Sequence, residues 1–120
     1  MTRDEVITQL SQCVVLHTQC PCLCVMLPSY SEVKEFRKDF TSKINEIPKW
    51  LMPEVKRDLI AEFGWCNGNI LFVHNPRHLQ GRSITSLYRS KRCMDGSKKD
   101  YEHHNLIAIL TQTTITEFDD

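Results

Sequence analysis

The stretch Cys22-Leu23-Cys24-Val25-Met26-Leu27-Pro28-Ser29, continued by Tyr30-Ser31-Glu32-Val33-Lys34-Glu35-Phe36, decides the fold. From Cys22 to Leu27 every residue is apolar. An unbroken apolar run of this length reads as a strand covered on both faces, as in a parallel sheet, and Pro28 ends it because proline has no N–H for the ladder. Ser29 and Glu32 then have the spacing of a capping box, and Val33, Phe36, Phe40, Ile44 and Ile47 recur at intervals of three and four. That stripe predicts an amphipathic helix from Ser31 to Ile47, closed by Pro48. Its other face carries Lys34, Arg37, Lys38 and Lys43, which read as a solvated surface.

Upstream, Thr2 and Glu5 form another capping-box pair, and Ile7, Leu10 and Val14 carry a helix of about four turns as far as His17. Downstream, Trp50, Leu51 and Met52 occupy a short connector, and Pro53 could open a further helical turn at its first position. Asn67-Gly68, set between the apolar runs Phe63 to Cys66 and Ile70 to Val73, predicts a hairpin with a tight turn at that pair. Ser83 to Tyr88 reads as a further strand and Asp95-Gly96 as a turn. Leu106 to Thr116, rich in β-branched residues, reads as a long strand, with a helix from Lys99 to Leu110 as the alternative. Helices alternating with buried strands give the expected fold class: an α/β layered domain with a partly parallel sheet, flanking helices and a hairpin at Asn67-Gly68. Ligand sites in open α/β sheets lie beyond the carboxyl ends of the strands, which singles out Pro28 to Ser31 and the segment after Tyr88.

Length and composition narrow the function classes. A chain of 120 residues with 41% apolar and 25% charged residues is expected to form a single globular domain over residues 1–120. Fifteen basic residues balance fifteen acidic ones, which removes a global attraction for nucleic acid or membrane. The longest apolar runs, about six residues, fall far short of the roughly 20 that span a bilayer, and no signal segment is evident. The expected setting is the cytoplasm, or the host cytoplasm for a viral protein, with no membrane partner.

Six cysteines would suggest disulfides in a secreted chain, but here free thiols are expected. Cys20, Cys22 and Cys24 alternate toward one strand face, and no C-x-x-C pair is present to announce zinc. Five histidines raise metal or nuclease chemistry. His103-His104-Asn105 resembles part of a histidine-asparagine nuclease motif, yet no later histidine completes it. His74 and His78 have i, i+4 spacing, but Pro76 between them argues against a regular helix. Ser29 and Ser31 follow the buried strand without a G-x-S-x-G elbow. The expected metal and cofactor content is therefore none, and the expected catalytic set is empty.

Between Ile70 and Lys99 the bases are Arg77, Arg82, Arg89, Lys91, Arg92, Lys98 and Lys99, against Asp95 alone. A local field of one sign in a neutral chain is a candidate footprint for an acidic protein surface or a phosphate backbone. Arg77, Arg82, Arg89, Lys91 and Arg92 are the expected partner-binding residues. A solvated loop is the competing reading.

The strand ending Cys24-Val25-Met26-Leu27-Pro28-Ser29-Tyr30, the helix Ser31 to Ile47, Pro48-Lys49-Trp50-Leu51, the hairpin with Asn67-Gly68-Asn69-Ile70, and Leu79-Gln80-Gly81-Arg82-Ser83-Ile84 together resemble the ATPase core of phage terminase large subunits. The resemblance covers about residues 20 to 88. In that family's order the phosphate-binding loop would lie before Met1, and Leu87-Tyr88-Arg89-Ser90 supplies no carboxylate where the family places its Walker B acids. No G-x-x-x-x-G-K-[ST] segment occurs in the chain, so ATP turnover is not expected. The resemblance implies a phage-type protein without nucleotide chemistry that binds an unidentified host or viral protein, one belonging to nucleic-acid-handling machinery. A small nucleic-acid-binding module using residues 77–99 is the alternative, and a metal-dependent nuclease or cysteine enzyme the second alternative.

Overall fold

The computed structural model describes residues 1–16, 22–79, 84–94 and 114–119. Helix α1 (Arg3–Val15) starts on the capping box formed by Thr2 and Glu5, and strand β1 (Leu23–Met26) follows. Helix α2 (Tyr30–Asn45) begins where Ser29 accepts a hydrogen bond from the Glu32 amide. Three strands come next: β2 (Val55–Asp58), β3 (Glu62–Trp65) and β4 (Gly68–Val73). A 3₁₀ turn at Pro76–Leu79, β5 (Ser86–Ser90), a second 3₁₀ turn at Lys91–Met94 and β6 (Thr114–Phe118) complete the described chain.

The strands form one six-stranded sheet in the order β2-β3-β4-β1-β5-β6. Strand β1 runs parallel to both β4 and β5, β5 runs parallel to β6, and β2, β3 and β4 make an antiparallel meander. The apolar run Cys22 to Leu27 thus does what its composition predicts. All four β1 residues are buried, with Leu23, Val25 and Leu27 facing the layer of α1 and α2, while Cys24 and Met26 face the other side.

Against the helix-covered face, Phe36 and Phe40 of α2 are fully buried and meet Phe63, Phe72 and Phe118 with ring centres 5.3–6.1 Å apart. These offset and edge-on contacts add to the area term. The opposite face gathers Cys24, Met26, Leu71, Val73, Leu79, Ile84, Leu87 and Cys93. Cys22 packs at its margin, so Cys22 and Cys24 do share one face as alternation requires. The five cysteines among the described residues are free thiols.

Several expectations move. The two-residue hairpin turn is Cys66-Asn67, since Trp65 pairs with Gly68, which opens β4. The Asn-Gly pair still marks the reversal, but tertiary register shifts it by one residue. Pro53 does not open a helix; Leu51 N–H bonds Pro48 O at 2.9 Å and the chain passes into β2. That strand, Val-Lys-Arg-Asp, is exposed at all four positions and shows no apolar alternation to predict it. Arg37, read as solvated, is only 6% exposed. The strand expected at Ser83 to Tyr88 is Ser86–Ser90, which carries Arg89 into the sheet. Of the stretch Leu106 to Thr116, only residues 114–116 are described, as the first part of β6 (Thr114–Phe118). Arg82, Lys98, Lys99, His103, His104 and Cys20 lie outside the described residues. Among the described residues, no helix is long and apolar enough to cross a membrane.

Candidate functional site

Because β4, β1, β5 and β6 are parallel, their carboxyl ends emerge side by side. Segments far apart in sequence meet there: Pro28 to Glu32 after β1, His74 to His78 after β4, and the turn Lys91–Met94 after β5. Helix α1 also begins at this end, where Asp119 N–H bonds Met1 O at 2.8 Å and Arg3 N–H bonds Asp119 O at 2.9 Å. Leu27 N–H bonds Val73 O at 2.9 Å, and the buried Cys93 thiol contacts Met26 O at 3.6 Å, so the loops rest on a rigid rim.

The topology brings Arg77, Lys91 and Arg92 of the basic segment to this rim. Arg77 is exposed in the turn after β4, and Lys91 and Arg92 are exposed in the turn after β5. Arg89 is not with them: it is buried in β5 and forms an ion pair with Glu117, its register partner on β6. Lys91 and Arg92 are matched as well, Lys91 with Asp119 at 3.0 Å and Arg92 with Glu32 at the start of α2. Lys91 donates to the Asp119 carboxylate and holds its pKa below the ordinary aspartate value. Three of the seven bases, Arg89, Lys91 and Arg92, are therefore compensated in space by acids from elsewhere in the sequence. Glu117 and Asp119 belong to the acidic end of the chain, a signal legible beforehand, but only the parallel pairing of β5 with β6 aims them at Arg89 and Lys91.

Beside this rim lies a cavity of about 330 Å³, lined chiefly by Tyr30, Val33, Leu59, Phe72, His74 and His78. Apolar walls with a few polar groups at the mouth are the usual make-up of a small-ligand pocket, and the volume is at the lower end of that class. The 3₁₀ turn, not a regular helix, brings His74 and His78 together, with ring centres 5.1 Å apart. Tyr30 meets His74 edge-on at 5.8 Å. Burial, and then the neighbouring His78, lower the pKa of His74. No described group of three or more histidine, cysteine, aspartate or glutamate residues surrounds a common point.

No protein-family model matches the chain, and no curated protein matches it. Among solved structures, the large terminase ATPase domain of Thermus phage P74-26 superposes with a TM-score of 0.64 at 8% identity. The match covers 98% of this chain. The chain has a phage terminase ATPase fold. A point mutant of the same phage domain matches with the same TM-score at 7% identity. This chain spans about half of that terminase domain, 54% of its length. The match extends beyond the residues 20 to 88 on which the sequence resemblance rests, to α1 and β6 at either end.

Proposed function

We propose that this chain is a non-enzymatic, phage-type binding protein that engages a host or viral protein of nucleic-acid-handling machinery through the carboxyl end of its parallel strands. The observation that carries the reading is the pairing of Lys91 with Asp119 and of Arg92 with Glu32 at that rim. A phosphate backbone attracts uncompensated cations, whereas alternating charges of both signs suit the mixed polar surface of a protein partner. The terminase-like fold supports a place in phage machinery, and β5, which ends in Arg89-Ser90, offers no carboxylate for the magnesium chemistry of an ATPase.

Capture from phage-infected host extract tests this, with wild type compared against Arg77→Glu combined with Lys91→Glu. Loss of a specific protein partner in a variant that stays folded supports the rim as the contact. Unchanged capture moves the contact to the exposed apolar residues around Trp50, which is itself 82% exposed.

A second reading, nucleic-acid binding by residues 77–99, is favoured by the convergence of Arg77, Lys91 and Arg92 on one end of the sheet. DNA and RNA binding at two salt concentrations separates the two. Affinity that falls steeply with salt transfers the function to this alternative.

A further inference from the structure

We propose that His74 and His78 form a chelating site for an exchangeable divalent transition cation of the zinc, nickel and copper class, at the mouth of the cavity beside Tyr30. Both imidazoles are exposed, and their ring centres lie 5.1 Å apart. Two imidazoles bound at roughly 2.1 Å to one tetrahedral ion have ring centres about 5 Å apart, close to the separation the two rings already have. The rings now meet edge-on at 76°, so binding requires both side chains to turn until one nitrogen of each faces a shared point.

The turn that carries them is built rather than loose. His78 N–H bonds Asn75 O at 3.0 Å, Arg77 N–H bonds the Asn75 side-chain oxygen at 3.0 Å, and Leu79 is fully buried beneath. Strand β4 anchors His74 from the other side. Donors carried on a fixed turn lose less freedom on binding than donors on a loose loop, which is how two ligands can hold an ion measurably. Imidazole selects zinc, copper and nickel over magnesium and calcium, which prefer oxygen. Glu62 lines the same cavity, but its oxygens already accept from Arg57 and Asn69. The remaining positions on the ion therefore fall to water or to a donor atom of a bound molecule, which makes the site open and exchangeable rather than structural.

The test is titration of the full chain with zinc, followed by calorimetry and by the histidine ring resonances. One ion per chain in the micromolar range is expected, moving the His74 and His78 resonances together. His74→Ala and His78→Ala should each weaken binding by roughly tenfold or more, as loss of one of two ligands requires. Cys66→Ser, and His103→Ala combined with His104→Ala, should leave the affinity unchanged. Binding that survives loss of His74, that moves only one of the two rings, that disappears with Cys66 or with the His103 and His104 pair, or that is absent altogether overturns the assignment. Both histidines are exposed, and circular dichroism of each variant separates a lost ligand from a lost fold.

Discussion

Arg37 on α2 reaches across the helix layer to Asp58 at the end of edge strand β2, and its Nε–H donates to Leu59 O at 3.1 Å. The guanidinium also lies over Phe40, Phe63 and Phe72, 5.3–5.5 Å from the ring centres. One buried cation therefore fastens the exposed edge of the sheet to the aromatic core. This bears on the site, because Leu59 is a wall of the cavity that opens beside Tyr30.

Removing that cation should cost far more than removing its neighbours. Arg37→Ala is expected to lower stability by about 2–4 kcal/mol, from lost charge-assisted hydrogen bonds and lost packing on the rings. Lys34→Ala and Lys38→Ala, on the exposed face, should stay within about 0.5 kcal/mol. Asp58→Ala should cost less than Arg37→Ala, because Asp58 is largely exposed and Arg37 keeps its bond to Leu59. Urea denaturation of the four variants checks the order, and equal losses at Arg37 and Lys38 would refute it.

Phe36 and Phe40 have no exposed surface. Phe36→Ala and Phe40→Ala should each destabilise by about 3–5 kcal/mol, the transfer and cavity cost of a large buried ring. Thermal unfolding measures this directly. A loss at either position comparable with that of an exposed lysine would mean that α2 packs on the sheet by another face.

Thiol reactivity should follow burial. Cys66 in the hairpin turn is exposed, whereas Cys24 and Cys93 are buried. Timed alkylation read by mass spectrometry should label Cys66 first and leave Cys24 and Cys93 protected until the protein unfolds. Early labelling of Cys24 would contradict the burial of β1.

The Lys91 and Asp119 pair gives a pH signature. The folded pKa of Asp119 is lowered, first by the hydrogen bond from Lys91 and then by its charge. The unfolded chain therefore binds the proton more readily, so this contribution to stability is present above the ordinary aspartate pKa and is lost as pH falls through the lowered value. In Lys91→Met the Asp119 carboxyl resonance should titrate at a higher pH than in wild type. An unmoved midpoint would show that Lys91 is not the partner.

Much of the architecture was legible in local pattern. The run Cys22 to Leu27 is buried on both faces because β4 and β5 flank it, and the stripe from Val33 to Ile44 packs on it at helical spacing. Thr2 and Ser29 cap where their spacing to glutamate predicts. These features depend on periods of two and 3.6 residues and on caps within one turn, so a short window of sequence contains them.

The site required the tertiary structure. Seven bases against one acid along the sequence suggested an uncompensated patch, but the pairing of β5 with β6 sets Glu117 against Arg89, and chain ends meeting at Thr2 and Asp119 set an acid beside Lys91. Arg37 reads as one more solvated base until Asp58 and three aromatic rings converge on it. Pro76 excludes an α-helix between His74 and His78, yet the 3₁₀ turn pinned by buried Leu79 brings the rings to 5.1 Å. The sequence by itself determined which segments become β1 and α2 and that the sheet is partly parallel, because local periodicity and burial demand it. Which charges neutralise each other, and which polar groups share a cavity, was decided by strand order and register, contacts between residues tens of positions apart whose geometry no local pattern encodes.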